Sequence, residues 1–322
     1  MTWPKAVQEI KYFCKADSTY QPALIYAPPN PNVKPPLLVC LHTWSFDYRQ
    51  AGGETVYARW CVENDWLFIH PDFRGSNTTP QAMGSEYAVA DIIDAVEYMT
   101  EHYPVDTKRI YLIGVSGGGH AALLMAGRAP DIWAGVSAWC GISDIKKWWK
   151  QNIKTGTGYE NSIEASCGGK PDKDSSAAEE CLRRSPKLYL RHAKSVNMDI
   201  NAGVKDGRQG SVPFSQSLYA FNEVATNNNK LKESDIEAFY DDGKVPPHDD
   251  RNVSDFLYEE HTPLFVKTSL NVRVVIFDGS HEILHLPALN WLSQQRKGIP
   301  AIWTVEDPVL IEISDEEVQS GK

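Results

Sequence analysis

Short apolar runs alternate along this chain with segments whose apolar positions recur at helical spacing. Continuous apolar runs bounded by turn residues are typical of strands that are buried on both faces of a sheet. Such runs stand at 37–42, 67–73, 109–115, 133–139, 198–203 and 272–279. Helical patterns lie between them at about 54–64, 85–102, 118–128, 213–226 and 285–296. This order predicts an α/β fold in which a mainly parallel sheet carries helices on both faces.

Two stretches depart from the alternation. Residues 141–194 are long, polar and rich in Lys, and we expect them to form a cap over the carboxyl ends of the strands, where α/β proteins place their reactive groups. Residues 227–271 carry an NNN run and many acidic positions, which predicts a loop-rich excursion with room for one helix. We interpret the whole chain, 1–322, as a single catalytic domain that contains these two insertions.

Composition narrows the classes of partner. Hydrophobic residues make up 42% of the chain and ten of its residues are Trp, which is enough to build a sizeable core. The formal charge of -10 excludes nucleic acid and anionic membranes as expected partners, because both would repel the protein. Since no window approaches the length of a transmembrane helix, we expect a soluble protein, either cytoplasmic or, if an export signal has been trimmed, secreted or periplasmic. The oligomeric state stays open.

The six cysteines form no CxxC pair and have no regular spacing, so neither a zinc site nor a disulfide framework is indicated. No metal or cofactor is expected. Cys40, Cys61 and Cys140 lie within apolar segments and are interpreted as buried thiols. Cys167 and Cys181 share one polar stretch, and a disulfide between them in an oxidising compartment is an alternative to two free thiols.

Ser116 lies in the sequence GVSGGG, between an apolar strand pattern and an Ala- and Leu-rich helical pattern. This context is typical of a nucleophile elbow, in which glycines allow a tight turn that exposes the serine at the sheet edge. The alternatives are a glycine-rich phosphate loop and a plain turn, but the sequence has neither the GK[ST] ending of a phosphate loop nor the spacing of a dinucleotide-binding motif. Ser116 is therefore the predicted nucleophile.

A serine hydroxyl needs an oriented base to act as a nucleophile at neutral pH. His281 follows the last strong strand, near the C-terminus, where the order serine, acid, histidine places the base. His42, His120 and His285 are interpreted as structural or lining residues.

The acid is expected after the strand that precedes the histidine strand. Asp206 is the carboxylate within a few residues of the strand end at Gly203, and we assign it the role of orienting His281. Its purely structural alternative is a turn in an Asp-Gly dipeptide. Asp199, Asp241 and Asp242 are weaker candidates.

An oxyanion that forms during acyl transfer needs two preorganised N–H donors. We expect one from the backbone of Gly117 and the other from the loop after the first strand, where the donor is Trp44 or Thr43. Trp44 would also form a wall beside the scissile bond.

With these residues assigned, the chain resembles the prolyl-oligopeptidase-like branch of the α/β-hydrolases and, within it, the acetyl-xylan-type carbohydrate esterases. The resemblance spans about residues 35–297. It depends on PDFRGS at 71–76, GVSGGG at 114–119, RSP at 184–186, DG at 206–207 and DGSHE at 278–282. It implies the α/β-hydrolase fold and a Ser-His-Asp mechanism through an acyl-enzyme.

Peptidases of that branch place a large β-propeller ahead of the hydrolase domain, and about 35 residues precede the first strong strand here, too few for a pair of blades. We therefore expect an esterase that acts on short acyl groups, acetyl above all, carried by a sugar. Trp148 and Trp149 are candidate sugar contacts, with burial in the core as the alternative. The competing functions are a prolyl-oligopeptidase-type peptidase and a non-catalytic binding protein on the same fold.

Overall fold

A nine-stranded sheet forms the centre of the computed structural model, which describes residues 1–29, 33–247, 255–258 and 260–311. The strands are β1 (Gln8–Cys14), β2 (Thr19–Tyr26), β3 (Leu37–Leu41), β4 (Leu67–Pro71), β5 (Ile110–Val115), β6 (Gly135–Trp139), β7 (Met198–Gly203), β8 (Pro263–Ser269) and β9 (Val272–Phe277). Their order across the sheet is β1-β2-β4-β3-β5-β6-β7-β9-β8.

The six strands predicted from apolar runs are confirmed, and they form the parallel centre of the sheet. Every residue of β3, β5 and β7 is buried, as expected for strands with helices on both faces. The α/β-hydrolase fold class predicted from the sequence is confirmed.

Three antiparallel strands at the two sheet edges were missed by the sequence pattern. β1 and β2 pair with each other and β2 continues onto β4, while β8 pairs with β9. Edge strands expose one side, so β1 mixes exposed and buried positions and gives no continuous apolar run. The expectation of a loop-rich excursion at 227–271 was wrong for its last part, which forms β8; residues 248–254 and 259 of that segment lie outside the described part of the chain.

The five predicted helices are confirmed, and their ends differ from the predicted ends by at most two residues. The helices are α1 (Glu54–Glu63), α2 (Glu86–His102), α3 (Gly117–Arg128), α4 (Ile145–Thr155), α5 (Tyr159–Cys167), α6 (Ser175–Arg183), α7 (Ser215–Val224), α8 (Glu233–Asp242) and α9 (His285–Gln294). Local chemistry sets several starts: the Ser85 hydroxyl accepts from the Ala88 N–H ahead of α2, and the Asp144 carboxylate accepts from the Lys147 N–H ahead of α4. No helix in the described ranges has both the length and the apolar character to cross a bilayer.

The segment predicted as a cap contains α4, α5 and α6, which we call the cap helices. They enclose a hydrophobic cluster of their own, separate from the core around the sheet. Trp44 and Val212 belong to this cluster, so the cap helices pack directly on the loops that follow β3 and β7. The sulfur atoms of Cys167 and Cys181 lie 2.8 Å apart inside it, as neighbouring free thiols.

Candidate active site

Ser116 occupies a strained turn between β5 and α3. Its backbone angles are φ 58° and ψ -118°, in a region that residues with a Cβ rarely adopt. A Cβ at Gly114 would lie 2.4 Å from the carbonyl oxygen of Gly118, so the strand and the helix approach too closely for any larger residue. The turn thereby presents Ser116 at the N-terminus of α3, where the helix dipole favours negative charge.

His281 and Asp206 form a hydrogen-bonded pair. The Nδ1 atom of His281 lies 2.7 Å from Oδ2 of Asp206, whose side chain is fully buried. The other carboxylate oxygen, Oδ1, accepts from the backbone N–H groups of Gly207 at 2.8 Å and Val212 at 3.0 Å. Because the backbone holds one oxygen, the second is fixed toward the imidazole.

A cavity of about 310 Å³ brings four of the predicted site residues together. Ser116, His281, Thr43 and Trp44 all line it, and Tyr159 reaches it from the cap helices. A reacting carbonyl in this cavity would meet both the serine and the histidine.

The structure separates the two candidates for the second oxyanion donor. The Thr43 N–H donates to Oε1 of Gln50 at 2.9 Å and is therefore occupied. The Trp44 N–H has no acceptor in the described part of the chain, and a Cβ at Gly117 would lie 2.4 Å from this nitrogen. The main chains of Trp44 and Gly117 are thus in contact, which favours Trp44 over Thr43.

Trp148 and Trp149 do not line this cavity. Their exposed fractions are 1% and 4%, and their indole N–H groups donate to the Ser211 carbonyl and to Glu164. The Trp148 ring packs on Trp44 with centroids 4.7 Å apart. Direct stacking on a sugar is therefore not supported for either side chain, because both are buried in the core of the cap helices. Trp148 instead fixes the wall that Trp44 forms.

The other histidines singled out in the sequence are bonded to the backbone. His42, His120 and His285 place ring nitrogens on the carbonyls of Thr43 and Asp72, of Arg184, and of Gly53, respectively. Burial lowers the pKa of His120 to about 4, so it stays neutral at physiological pH. These contacts agree with structural roles.

The alternative acids lie elsewhere. Asp199 is buried within β7 and bonds to Nε of Arg273 at 2.7 Å, which compensates its charge. Asp241 and Asp242 are exposed at the end of α8. Asp206 is the candidate that contacts His281.

Cys140 is a site residue that the sequence reading assigned only to the core. It directly follows β6 with φ 48°, and its sulfur lies within 4.8 Å of a carboxylate oxygen of Asp206 and a ring nitrogen of His281. Burial raises the pKa of this thiol, which keeps it protonated. The sequence feature that could have identified Cys140 as a site residue is its position directly after the central strand β6.

Ser116 lies on a strained elbow after the central parallel strand β5, and the Asp-paired His281 follows β9, the last strand along the chain. This arrangement defines the class of the α/β-hydrolases. The sequence profile of the prolyl oligopeptidase family matches residues 56–242, which is more than half of the chain. The chain belongs to this family.

Among individual proteins, the chain is similar to feruloyl esterase B of Thermothelomyces thermophilus, with 24% identity over 147 residues that cover 43% of this chain and 50% of that protein. It is also similar to acetylxylan esterase A of Emericella nidulans, with 24% identity over 128 residues, 37% of this chain and 41% of the relative. The chain thus spans half or less of the curated relatives it matches.

Among solved structures, an acylaminoacyl peptidase of Pyrococcus horikoshii superimposes with a TM-score of 0.54 and 17% identity, covering 68% of this chain and 34% of that one. At this identity, the likeness concerns the fold.

Proposed function

We propose that the protein is a serine esterase that removes short acyl groups, acetyl above all, from carbohydrate esters. Ser116 is the nucleophile, His281 the general base and Asp206 the orienting acid. The observation that carries the proposal is the 2.7 Å bond between Asp206 and His281, which lines a cavity together with the strained Ser116.

The reaction follows from the chemistry of these groups. The Ser116 hydroxyl attacks the ester carbonyl carbon while Nε2 of His281 accepts its proton, and Asp206 stabilises the imidazolium. The N–H groups of Gly117 and Trp44 stabilise the negative oxygen of the tetrahedral intermediate. The bond to the alcohol oxygen then breaks, and His281 returns its proton to that oxygen. Water attacks the acyl-enzyme in the same way and releases the carboxylic acid.

The preference for a short acyl group is supported by the size and stiffness of the cavity. A volume of about 310 Å³ stands at the lower end of the range of ligand pockets, roughly 300 to 1,000 Å³. The wall at Trp44 cannot easily retreat, because its ring is packed against Trp148. The names of the feruloyl esterase and acetylxylan esterase relatives support an ester as the substrate, and the second name supports an ester carried by a carbohydrate.

The nucleophile is tested by labelling with a fluorophosphonate probe, which reacts with activated serines. We expect stoichiometric labelling of Ser116 in the wild-type protein and none in the matched Ser116→Ala variant. Turnover of p-nitrophenyl acetate should fall by on the order of a millionfold in that variant. A wild-type protein that takes no label would instead be a binding protein on a hydrolase fold.

The acyl group is tested by kcat/KM for acetyl, butyryl, octanoyl and feruloyl esters beside a proline-containing peptide amide. Each methylene that the cavity cannot accommodate should cost about 1 to 3 kcal/mol, so the rate should fall steeply from acetyl to octanoyl. Octanoyl esters that match acetyl esters would contradict the short-acyl assignment. A feruloyl ester that is cleaved faster than acetyl would assign an aromatic acyl group, and efficient amide cleavage would favour the peptidase.

A further inference from the structure

A second cavity lies directly behind the loop that holds the acid, residues 206–213, which we call the acid loop. Its volume is about 530 Å³, and it is bounded by α4, the acid loop, α7 and α8. Ser211 lines both this cavity and the catalytic one. Gly210 also lines it, and a Cβ at Gly210 would lie 2.3 Å from Oδ1 of Asp206 and 2.6 Å from Cβ of His281. The two cavities are therefore adjacent and share Ser211 as a common lining residue.

The walls of the second cavity combine aromatic rings with cations. The ammonium of Lys147 lies 3.6 Å from the ring centroid of Tyr219, and the guanidinium of Arg208 lies 5.2 Å from that of Tyr240. Both tyrosines are partly buried on α7 and α8 and line the cavity. Aromatic faces bordered by hydrogen-bond donors suit a ring that is apolar on one face and hydroxylated at its edge, as a sugar is.

Positively charged side chains outnumber negatively charged ones around this cavity, although the chain as a whole is negatively charged. The chain carries -10, yet the cavity is lined by three cations, Lys147, Lys154 and Arg208, and by two carboxylates on α8. Lys154 and Arg208 form no ion pair with any carboxylate among the described residues, whereas Lys147 lies 4.0 Å from Glu233. The helix α4 has four lysines and no acidic residue. Two unpaired cations in one cavity of an acidic protein favour a ligand with a carboxylate.

We propose that this cavity binds a carboxylate-bearing sugar of the acylated substrate. The leaving sugar extends from Ser116 past Ser211, and a neighbouring uronic acid residue places its carboxylate on Lys154 and Arg208. The esterase then acts on esters of acidic carbohydrates. The cleavage of an ester on this sugar rests on the proposed function, whereas the binding of the acidic sugar in the second cavity does not.

The test compares two acetylated oligosaccharides that differ only in one group: a uronic acid with a free carboxylate, and the same sugar as its neutral methyl ester. A charge-assisted hydrogen bond to the carboxylate should favour the acidic substrate in kcat/KM by about tenfold or more. Raising the ionic strength should reduce this preference. The Lys154→Gln and Arg208→Gln double variant should bring the ratio close to one.

Lys150→Gln is the matched control, because Lys150 lies on the same helix and does not line the cavity. Equal kcat/KM for the two substrates in the wild-type protein would overturn the inference. A loss of preference in Lys150→Gln as large as in the double variant would also overturn the inference. It would show that the overall positive charge of α4, and not a specific binding site, causes the preference.

Failure of the esterase assignment is distinguished by a binding measurement. Calorimetric titration of the Ser116→Ala variant with an unacylated uronic acid trisaccharide needs no turnover. Binding that disappears in the added Lys154→Gln and Arg208→Gln background supports the cavity even if no ester is cleaved. An absence of binding together with efficient cleavage of acetyl esters would overturn the cavity and leave the esterase intact.

Discussion

The Asp206→Asn substitution tests the assignment of the acid at a single atom. In the wild-type protein, Oδ1 accepts the N–H groups of Gly207 and Val212, and Oδ2 faces Nδ1 of His281. The two backbone donors are unchanged in the variant, so the amide oxygen of the asparagine should take the position of Oδ1. Its NH₂ group then faces the imidazole.

The size of the effect follows from the tautomer that this geometry imposes. An NH₂ group opposite Nδ1 requires a lone pair on that nitrogen, which moves the imidazole proton to Nε2. Nε2 is the atom that must accept the proton of Ser116, so the base is occupied. The corresponding wrong-tautomer penalty in a Ser-His-Asp triad is about ten-thousandfold in kcat, or about 5 kcal/mol.

The assay is kcat for p-nitrophenyl acetate, with far-ultraviolet circular dichroism to verify the fold. The control is Asp199→Asn, at a second buried aspartate of β7 whose partner is Arg273. This control should lower the melting temperature, because it leaves a buried arginine without its countercharge, but the folded protein should keep its rate. The reasoning is refuted if Asp206→Asn keeps more than about a tenth of kcat, or if Asp199→Asn has the larger effect on rate.

Three further predictions concern the oxyanion donors, the thiol beside the acid and a buried carboxyl. Gly117→Ala introduces a Cβ only 2.4 Å from the Trp44 nitrogen, so the donors must separate by about 1 Å and kcat should fall about a hundredfold. Gly298→Ala is the control, because its Cβ would meet open space and its φ of 81° strains only the local backbone; an equal loss of kcat there would contradict the prediction. Cys140→Ala removes the thiol next to the acid–base pair and should lower kcat about two- to tenfold with a shift in the pH profile, whereas an unchanged profile would make the thiol a packing residue. Burial raises the pKa of Glu54 to about 7, so the folded protein holds a proton that the unfolded chain releases, and stability should fall as pH rises from about 4.5 to 7. In thermal melts, Glu54→Gln should therefore be more stable than wild type at pH 8 by up to about 3 kcal/mol, and the two proteins should have similar stability at pH 4. A variant that is no more stable than wild type at pH 8 would argue against a buried charge at Glu54.

Much of the sheet and of the candidate site could be predicted because the signals are local in the sequence. The parallel strands are buried on both faces and therefore read as continuous apolar runs. The elbow at Ser116 needs glycines at fixed neighbouring positions, since the strand and the helix approach within contact distance there. The strands β1, β2 and β8 carried no such signal, because β1 and β2 mix exposed and buried positions and β8 ends in the polar residues Lys267, Thr268 and Ser269.

Other features depend on which distant residues the fold brings together. Trp44 and Thr43 are equivalent candidate donors in the sequence, and only the structure shows that the Thr43 N–H already donates to Gln50, which favours Trp44. Trp148 and Trp149 stand in a polar segment, yet the cap helices close around them and leave them 1% and 4% exposed.

The second cavity has no local signal at all. Its cations belong to α4 and the acid loop, and its aromatic rings belong to α7 and α8, so the lining groups come from positions as far apart as Lys147 and Tyr240. Motifs and periodicity therefore determined the sheet and the elbow, because both are set by the order of adjacent residues. Burial, donor occupancy and cavity walls were decided by tertiary packing, because each depends on atoms that meet only when the chain is folded.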